Sequence, residues 1–186
     1  MSDVIWRRLA YMLSPQLDLY KSIARQVEGK KVLEVGFGTG FGTLQLARRA
    51  LEVTAVEKDP DAVQFAKTCL PLSNVAWLYG DAVNLRGPGF YDAVVMVEVL
   101  EHIPEWHKAL EQVKTHLWTG GALYLTARNA NADLRRNELH ERELSAAQLV
   151  DALSQHFGQV QLFDYTLTQE LGADTRSTPL IARAVK

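Results

Sequence analysis

The segment Val32-Leu33-Glu34-Val35-Gly36-Phe37-Gly38-Thr39-Gly40-Phe41-Gly42 limits what the chain can fold into more than any other. A β-branched apolar run passes directly into alternating glycines and then into residues with helical spacing, which predicts a strand, a tight turn and a helix. Glycine tolerates positive φ and carries no Cβ, so a turn of this composition brings the main chain close to a ligand. Free amides at the start of the following helix favour a carboxylate or other electron-rich group at the same corner.

The alternation of periods continues along the chain. Residues 31–35, 52–56, 75–79, 91–97, 123–127, 160–165 and 180–185 read as strands. Residues 4–13, 16–27, 41–50, 61–69, 105–117 and 146–156 read as helices, with Pro60 in a favoured first-turn position and Ser145 as an N-cap. The run Ala93-Val94-Val95-Met96-Val97 is apolar on both faces, as a central parallel strand requires. Such a pattern predicts an α/β, doubly wound architecture. Residues 166–178 read as a hairpin loop, and the polar residues 128–144 are too long and too charged for a mere connection.

With 186 residues the chain is expected to form one domain, residues 1–28 being an N-terminal helical appendage. That appendage is either a lid over the pocket or simple packing against the sheet. A formal net charge of −2 gives no field for holding a polyanion, so a nucleic-acid partner is not expected. The first 13 residues contain no apolar run fit for a signal peptide or membrane span, so the expected location is the cytoplasm with no membrane partner. One cysteine, Cys69, forms no intrachain disulfide and reads as a half-buried helix residue.

A dinucleotide-binding loop is the obvious competitor, and it places its third glycine where this chain has Phe41. Here the glycine falls at position 40, and an acid, Glu34, lies inside the strand before the turn, which suits a ligand bearing a cationic amine. Glu57 closes the second strand, where a carboxylate accepts hydrogen bonds from both hydroxyls of a ribose. Gly80-Asp81-Ala82 closes the third, within reach of an exocyclic amine on a purine. Acids thus end or flank three successive strands on one edge.

These segments resemble the successive motifs of the class I S-adenosylmethionine-dependent methyltransferases: residues 32–40 the first, Glu57 the second, Gly80-Asp81-Ala82 the third, and Tyr91-Asp92-Ala93-Val94-Val95 with Glu98-Val99-Leu100-Glu101-His102-Ile103 the fourth. The resemblance spans about residues 31–127. It implies a Rossmann-like, three-layer α/β/α fold whose seven-stranded sheet has the order 3-2-1-4-5-7-6, with strand 7 antiparallel. It also implies S-adenosylmethionine as cofactor and S-adenosylhomocysteine as product. Glu34, Gly36, Gly38 and Gly40 would hold the methionine part, Glu57 the ribose, and Asp81 with Ala82 the adenine, with Lys58 and Glu98 completing the set.

The acceptor is expected to be a small molecule, oxygen being favoured because histidines are at hand as bases. His102 follows the fourth strand and is the candidate general base, with Glu101 beside it, since an imidazole titrates near pH ~6.5 and can take a proton from a hydroxyl. Residues 137–145 resemble the stretch that walls the acceptor pocket in small-molecule O-methyltransferases of the quinone-biosynthesis type. Glu98, Glu101, His102 and His140 also resemble the metal-binding set of RNA 3′-end 2′-O-methyltransferases, in which a divalent ion grips the terminal ribose. A non-catalytic S-adenosylmethionine-binding module and a nicotinamide-dependent oxidoreductase complete the alternatives.

Overall fold

β1 (Lys31–Val35) lies in the middle of a sheet, paired in parallel with β2 (Glu52–Glu57) on one side and β4 (Tyr91–Met96) on the other. The structure, a computed structural model, describes residues 15–86, 89–132 and 143–186. β3 (Val75–Tyr79) extends the sheet beyond β2, and β5 (Leu117–Ala127) extends it beyond β4. β8 (Leu180–Val185) runs antiparallel to both β5 and β6 (Gln159–Phe163), and a two-residue strand, β7 (Glu170–Leu171), closes the far edge. The complete order is β3-β2-β1-β4-β5-β8-β6-β7. Its first seven positions follow the expected doubly wound order, β8 taking the place of the antiparallel seventh strand. The additional strand, β7, arises inside the stretch read as a hairpin loop, where Glu170 and Leu171 pair with Phe163 and Leu162.

Each strand sends alternate residues to opposite faces, and both faces are covered, which is why the central strands are almost uniformly apolar. Leu33, Val35, Val94, Met96, Leu123 and Leu125 pack on one face with Ala109, Leu110 and Val113 of α4 (Trp106–His116) and Leu149 and Leu153 of α5 (Ala146–Ser154). Val32, Val53, Ala55, Ala93, Val95 and Tyr124 pack on the other with α1 (Pro15–Gln26), α2 (Phe41–Ala47) and α3 (Pro60–Cys69). α1 buries Leu19, Tyr20, Ile23 and Ala24 at helical spacing, and Val27, just past its end, is buried with them. The helix expected at residues 4–13 lies outside the described residues.

Local signals account for the element ends. Asp59 caps α3 by accepting the Asp61 amide at 2.9 Å, with Pro60 as its first residue. Ser145 and Gln148 form a reciprocal capping box at the start of α5, the Gln148 amide donating to Ser145 Oγ and the Ser145 amide to Gln148 Oε1. β5 begins six residues earlier than its apolar run suggests. Leu117 already pairs with Tyr91, and a register shift before Ala93↔Ala122 absorbs the stretch around Gly120, whose φ is 82°. Cys69 is exposed, because it sits at the C-terminal end of α3 rather than on its packed stripe. No helix among the described residues is long and apolar enough to cross a membrane.

β1 connects to β2 on one side while β4 lies on the other. The loops leaving these two strands therefore diverge, and in open parallel sheets ligands bind at this reversal of order.

Candidate active site

A cleft of about 600 Å³ opens at the carboxyl ends of β1, β2, β3 and β4, a size typical of small-molecule sites. Its floor is main chain. Gly36 and Gly38 have φ of 76° and 53°, in the left-handed region that side chains other than glycine rarely adopt. A Cβ on Gly36 would lie 2.5 Å from Val99 Cγ2, whereas one on Gly38 would meet nothing within 4 Å. Gly36 is thus bare so that the loop can settle on the segment after β4, and Gly38 presents naked backbone to the open side.

Behind the loop, Phe37 packs edge-on against Trp77 with ring centroids 4.9 Å apart. Gly40 does not line the cleft. A Cβ there would press into Leu70 at 2.7 Å, so this glycine serves the packing of the turn.

Glu57 ties the glycine loop to β2. One carboxylate oxygen accepts the Gly38 amide at 2.9 Å, and the other accepts the Lys58 and Asp59 amides at 2.8 and 3.1 Å. A carboxylate offers about four acceptor positions, so capacity remains for a ligand hydroxyl. Lys58 lines the cleft beside it. Asp81 caps the short 3₁₀ turn Ala82–Asn84 by accepting the Val83 amide at 3.1 Å, and Asp81, Ala82 and Val83 form the third wall.

The fourth wall follows β4. Glu98 has φ 56°, an uncommon conformation for a residue bearing a side chain. The hydroxyl of Thr126, buried at the end of β5, accepts the Glu98 amide at 2.8 Å and donates back to its carboxylate at 3.4 Å. Glu98, Val99, His102, Ile103, Pro104 and Glu105 complete the lining.

Two of the expected site residues lie beneath the cleft rather than in it. Glu101 and His102 share the 3₁₀ turn Leu100–His102, in which successive side chains diverge by about 120°. His102 therefore faces the cleft and is exposed, while Glu101 points inward and is 2% exposed. Neither oxygen of the Glu101 carboxyl has a hydrogen-bond partner among the described residues. Burial, and then the neighbouring Glu98 charge, hold this group well above the usual carboxylate range, with Arg128 opposing them. Arg128 pairs with Glu143 at 2.9 Å.

Glu34 is likewise fully buried and absent from the lining. Its Oε1 accepts the hydroxyl of Tyr20 at 2.8 Å, and its Oε2 has no partner among the described residues. Burial pushes its pKa up to about 7, against the opposing effect of Thr43 and Tyr20.

Bare main chain at Gly38, spare acceptor capacity on Glu57, a capped acid at Asp81 and an orphaned carboxylate oxygen on Glu34 together suit a ligand carrying an amine, a ribose and a purine. No group of three His, Cys, Asp or Glu side chains among the described residues is arranged to hold a metal ion. His140, the fourth member of the metal set weighed from the sequence, lies outside the described residues, as does most of the segment 137–145.

This sheet order with this edge defines the Rossmann-like methyltransferases as the structural class. The chain belongs to the methyltransferase-domain family, whose model, described as "Methyltransferase domain", matches residues 33–125. The cofactor of that class is S-adenosylmethionine, and the residues of the cleft fit it. A ubiquinone biosynthesis O-methyltransferase of Pectobacterium carotovorum is 32% identical over 108 residues, covering 56% of this chain and 45% of that protein. A fatty-acid O-methyltransferase of Mycolicibacterium smegmatis is 37% identical over 118 residues, covering 60% and 43%. The chain thus spans about half the length of the curated relatives it matches. The N-methyltransferase NodS of Bradyrhizobium japonicum, solved in complex with S-adenosylhomocysteine, shares the fold with a TM-score of 0.67 at 20% identity, over 90% of this chain and 83% of that one.

Thr126, which holds Glu98, Tyr20, which holds Glu34, and Val99, which lines the cleft, are not among the candidates that the sequence singles out. A signal existed for Thr126, a lone hydroxyl near the end of the apolar run Leu123-Tyr124-Leu125-Thr126-Ala127. Tyr20 fits the apolar stripe of α1 so well that its polar tip goes unnoticed.

Proposed function

We propose that the chain transfers a methyl group from S-adenosylmethionine to a hydroxyl of a small-molecule acceptor. The observation that carries this reading is the cleft itself, in which Asp81 with Ala82, Glu57, Gly36 and Gly38, and finally Glu98 and His102 follow one another along a single sheet edge, after β3, β2, β1 and β4. Held there, the cofactor would supply a methyl group activated on a sulfonium, for transfer to the acceptor oxygen with the displaced electron pair returning to sulfur.

The chain's own residues hold and align. The Gly36 and Gly38 main chain and the Glu34 charge beneath it receive the methionine end, Glu57 and Lys58 the ribose, and Asp81 and Ala82 the adenine. Glu98 stands where cofactor and acceptor meet, its unusual backbone fixed by Thr126. His102, exposed at the acceptor end, takes the proton that the hydroxyl releases. Glu101 acts from below as a positioning residue for the turn that presents His102. Alignment at short range supplies much of the rate in displacements of this kind. The O-methyltransferase names of the curated relatives agree with an oxygen acceptor.

The test is transfer of label from methyl-tritiated S-adenosylmethionine to a panel of matched phenols, alcohols, carboxylic acids and amines. Labelling of hydroxyl compounds above the amines is the expected result. A chain that retains cofactor yet labels nothing is a binding module instead.

A further inference from the structure

Glu34 is a carboxyl buried beneath the glycine loop, and Tyr20 from α1 and Thr43 from α2 both act on it. Tyr20, on α1, donates its hydroxyl to Oε1 at 2.8 Å across 14 residues of chain. The tyrosine ring fills the space above Gly42, where a Cβ would lie 2.2 Å from the ring. Gly42 belongs to α2, the helix that the cofactor loop leads into. α1, β1 and α2 therefore meet around Tyr20 and Glu34, beneath the loop. Thr43, on α2, also acts on the Glu34 carboxyl, yet among the described residues neither Glu34 Oε2 nor Thr43 Oγ1 completes a hydrogen bond of good geometry. A buried carboxylate oxygen left unpartnered is costly, and a ligand cation nearby relieves that cost.

We propose that Tyr20 is a positioning residue of the cofactor site: its hydroxyl holds one oxygen of Glu34 and leaves the other to the cationic amine of the cofactor, so that α1 is fastened to the cofactor loop and tunes its affinity. The proposal rests on the cleft being the S-adenosylmethionine site. Among the described residues, α1 presents Tyr20 to Glu34, α2 presents the neutral Thr43, β4 and β2 present Val95 and Ala55 at the paired positions, and Glu57 at the end of β2 is the other carboxylate acting on it. Donation by Tyr20 favours the charged carboxylate, and loss of the hydroxyl leaves Glu34 protonated over a wider range of pH.

Tyr20→Phe keeps the ring that packs on Gly42 and removes only the donor. Titration calorimetry of wild type, Tyr20→Phe, Glu34→Gln and the double variant with S-adenosylhomocysteine, at pH 6.5 to 8.5, reads the consequence, with melting temperatures as the check on folding. At pH 7, Tyr20→Phe is expected to bind about 10-fold more weakly. The gap should narrow as pH rises toward 8.5, because a growing share of Glu34 is then ionised without help from the Tyr20 hydroxyl. In the Glu34→Gln background the tyrosine substitution should have little further effect.

Unchanged affinity in Tyr20→Phe overturns the proposal. So does a loss that is equal at every pH, or one that persists in full beside Glu34→Gln, because either marks Tyr20 as packing alone. Absence of binding in the wild type removes the cofactor assignment itself, a separate result from a wild type that binds and a variant that binds equally well.

Discussion

Replacing His102 by alanine is expected to lower kcat for a hydroxyl acceptor by about 10²- to 10³-fold, the usual scale for loss of a positioned general base, while S-adenosylhomocysteine binds within about threefold of wild type. The separation of the two effects follows from geometry. His102 belongs to the turn after β4, lines the cleft and is exposed, whereas Glu57 and Lys58 belong to the end of β2. Steady-state kinetics with saturating cofactor, paired with a binding titration, reads both quantities. An unchanged kcat places the proton acceptor elsewhere or indicates an acceptor that needs no base. A parallel loss of cofactor affinity shows that the side chain holds the turn rather than the proton.

Glu57→Ala is expected to act the other way, weakening S-adenosylhomocysteine by about 100-fold or more with a modest change in kcat at saturating cofactor. A carboxylate hydrogen bond to a hydroxyl contributes about 1.5–3 kcal/mol, and a ribose offers two such hydroxyls. The substitution also strips the Gly38, Lys58 and Asp59 amides of their common acceptor, so the loop that forms the cleft floor loses its tie to β2. Glu57→Gln keeps some of the acceptors without the charge and should fall between alanine and wild type. Calorimetry across the three proteins checks the order; equal affinities would mean that Glu57 is only a structural knot.

Much of this architecture was legible because period and punctuation agree along the chain. The apolar run of β4, the glycine corner after β1 and the acids ending β2 and β3 each leave a mark in neighbouring residues. Strand pairing then brings those marks to one edge without further instruction. What stayed hidden depends on side-chain direction or on contacts between distant elements. Glu101 and His102 are adjacent in sequence, yet the 3₁₀ turn sends one into the core and the other to the cleft. Glu34 reads as a ligand-facing acid, and only the packing of α1 reveals that Tyr20 and the loop cover it. β7 is two residues long and has no apolar pattern of its own; β6 creates it by offering a free edge. The early start of β5 follows from the register shift at Gly120, which no local propensity announces.

The electrostatics of the site follow the same division. Glu57 and Asp81 are held by main-chain amides at strand ends, so their place is written locally. Glu101 and Glu34 are instead raised above the ordinary carboxylate range by burial, which the fold as a whole imposes.

The most direct test of the cofactor cleft is titration of the purified chain with S-adenosylhomocysteine. Saturable binding of one equivalent, at a dissociation constant on the order of micromolar and thus about −8 kcal/mol, is the predicted outcome. A flat titration up to millimolar ligand, from protein that melts cooperatively, would contradict it.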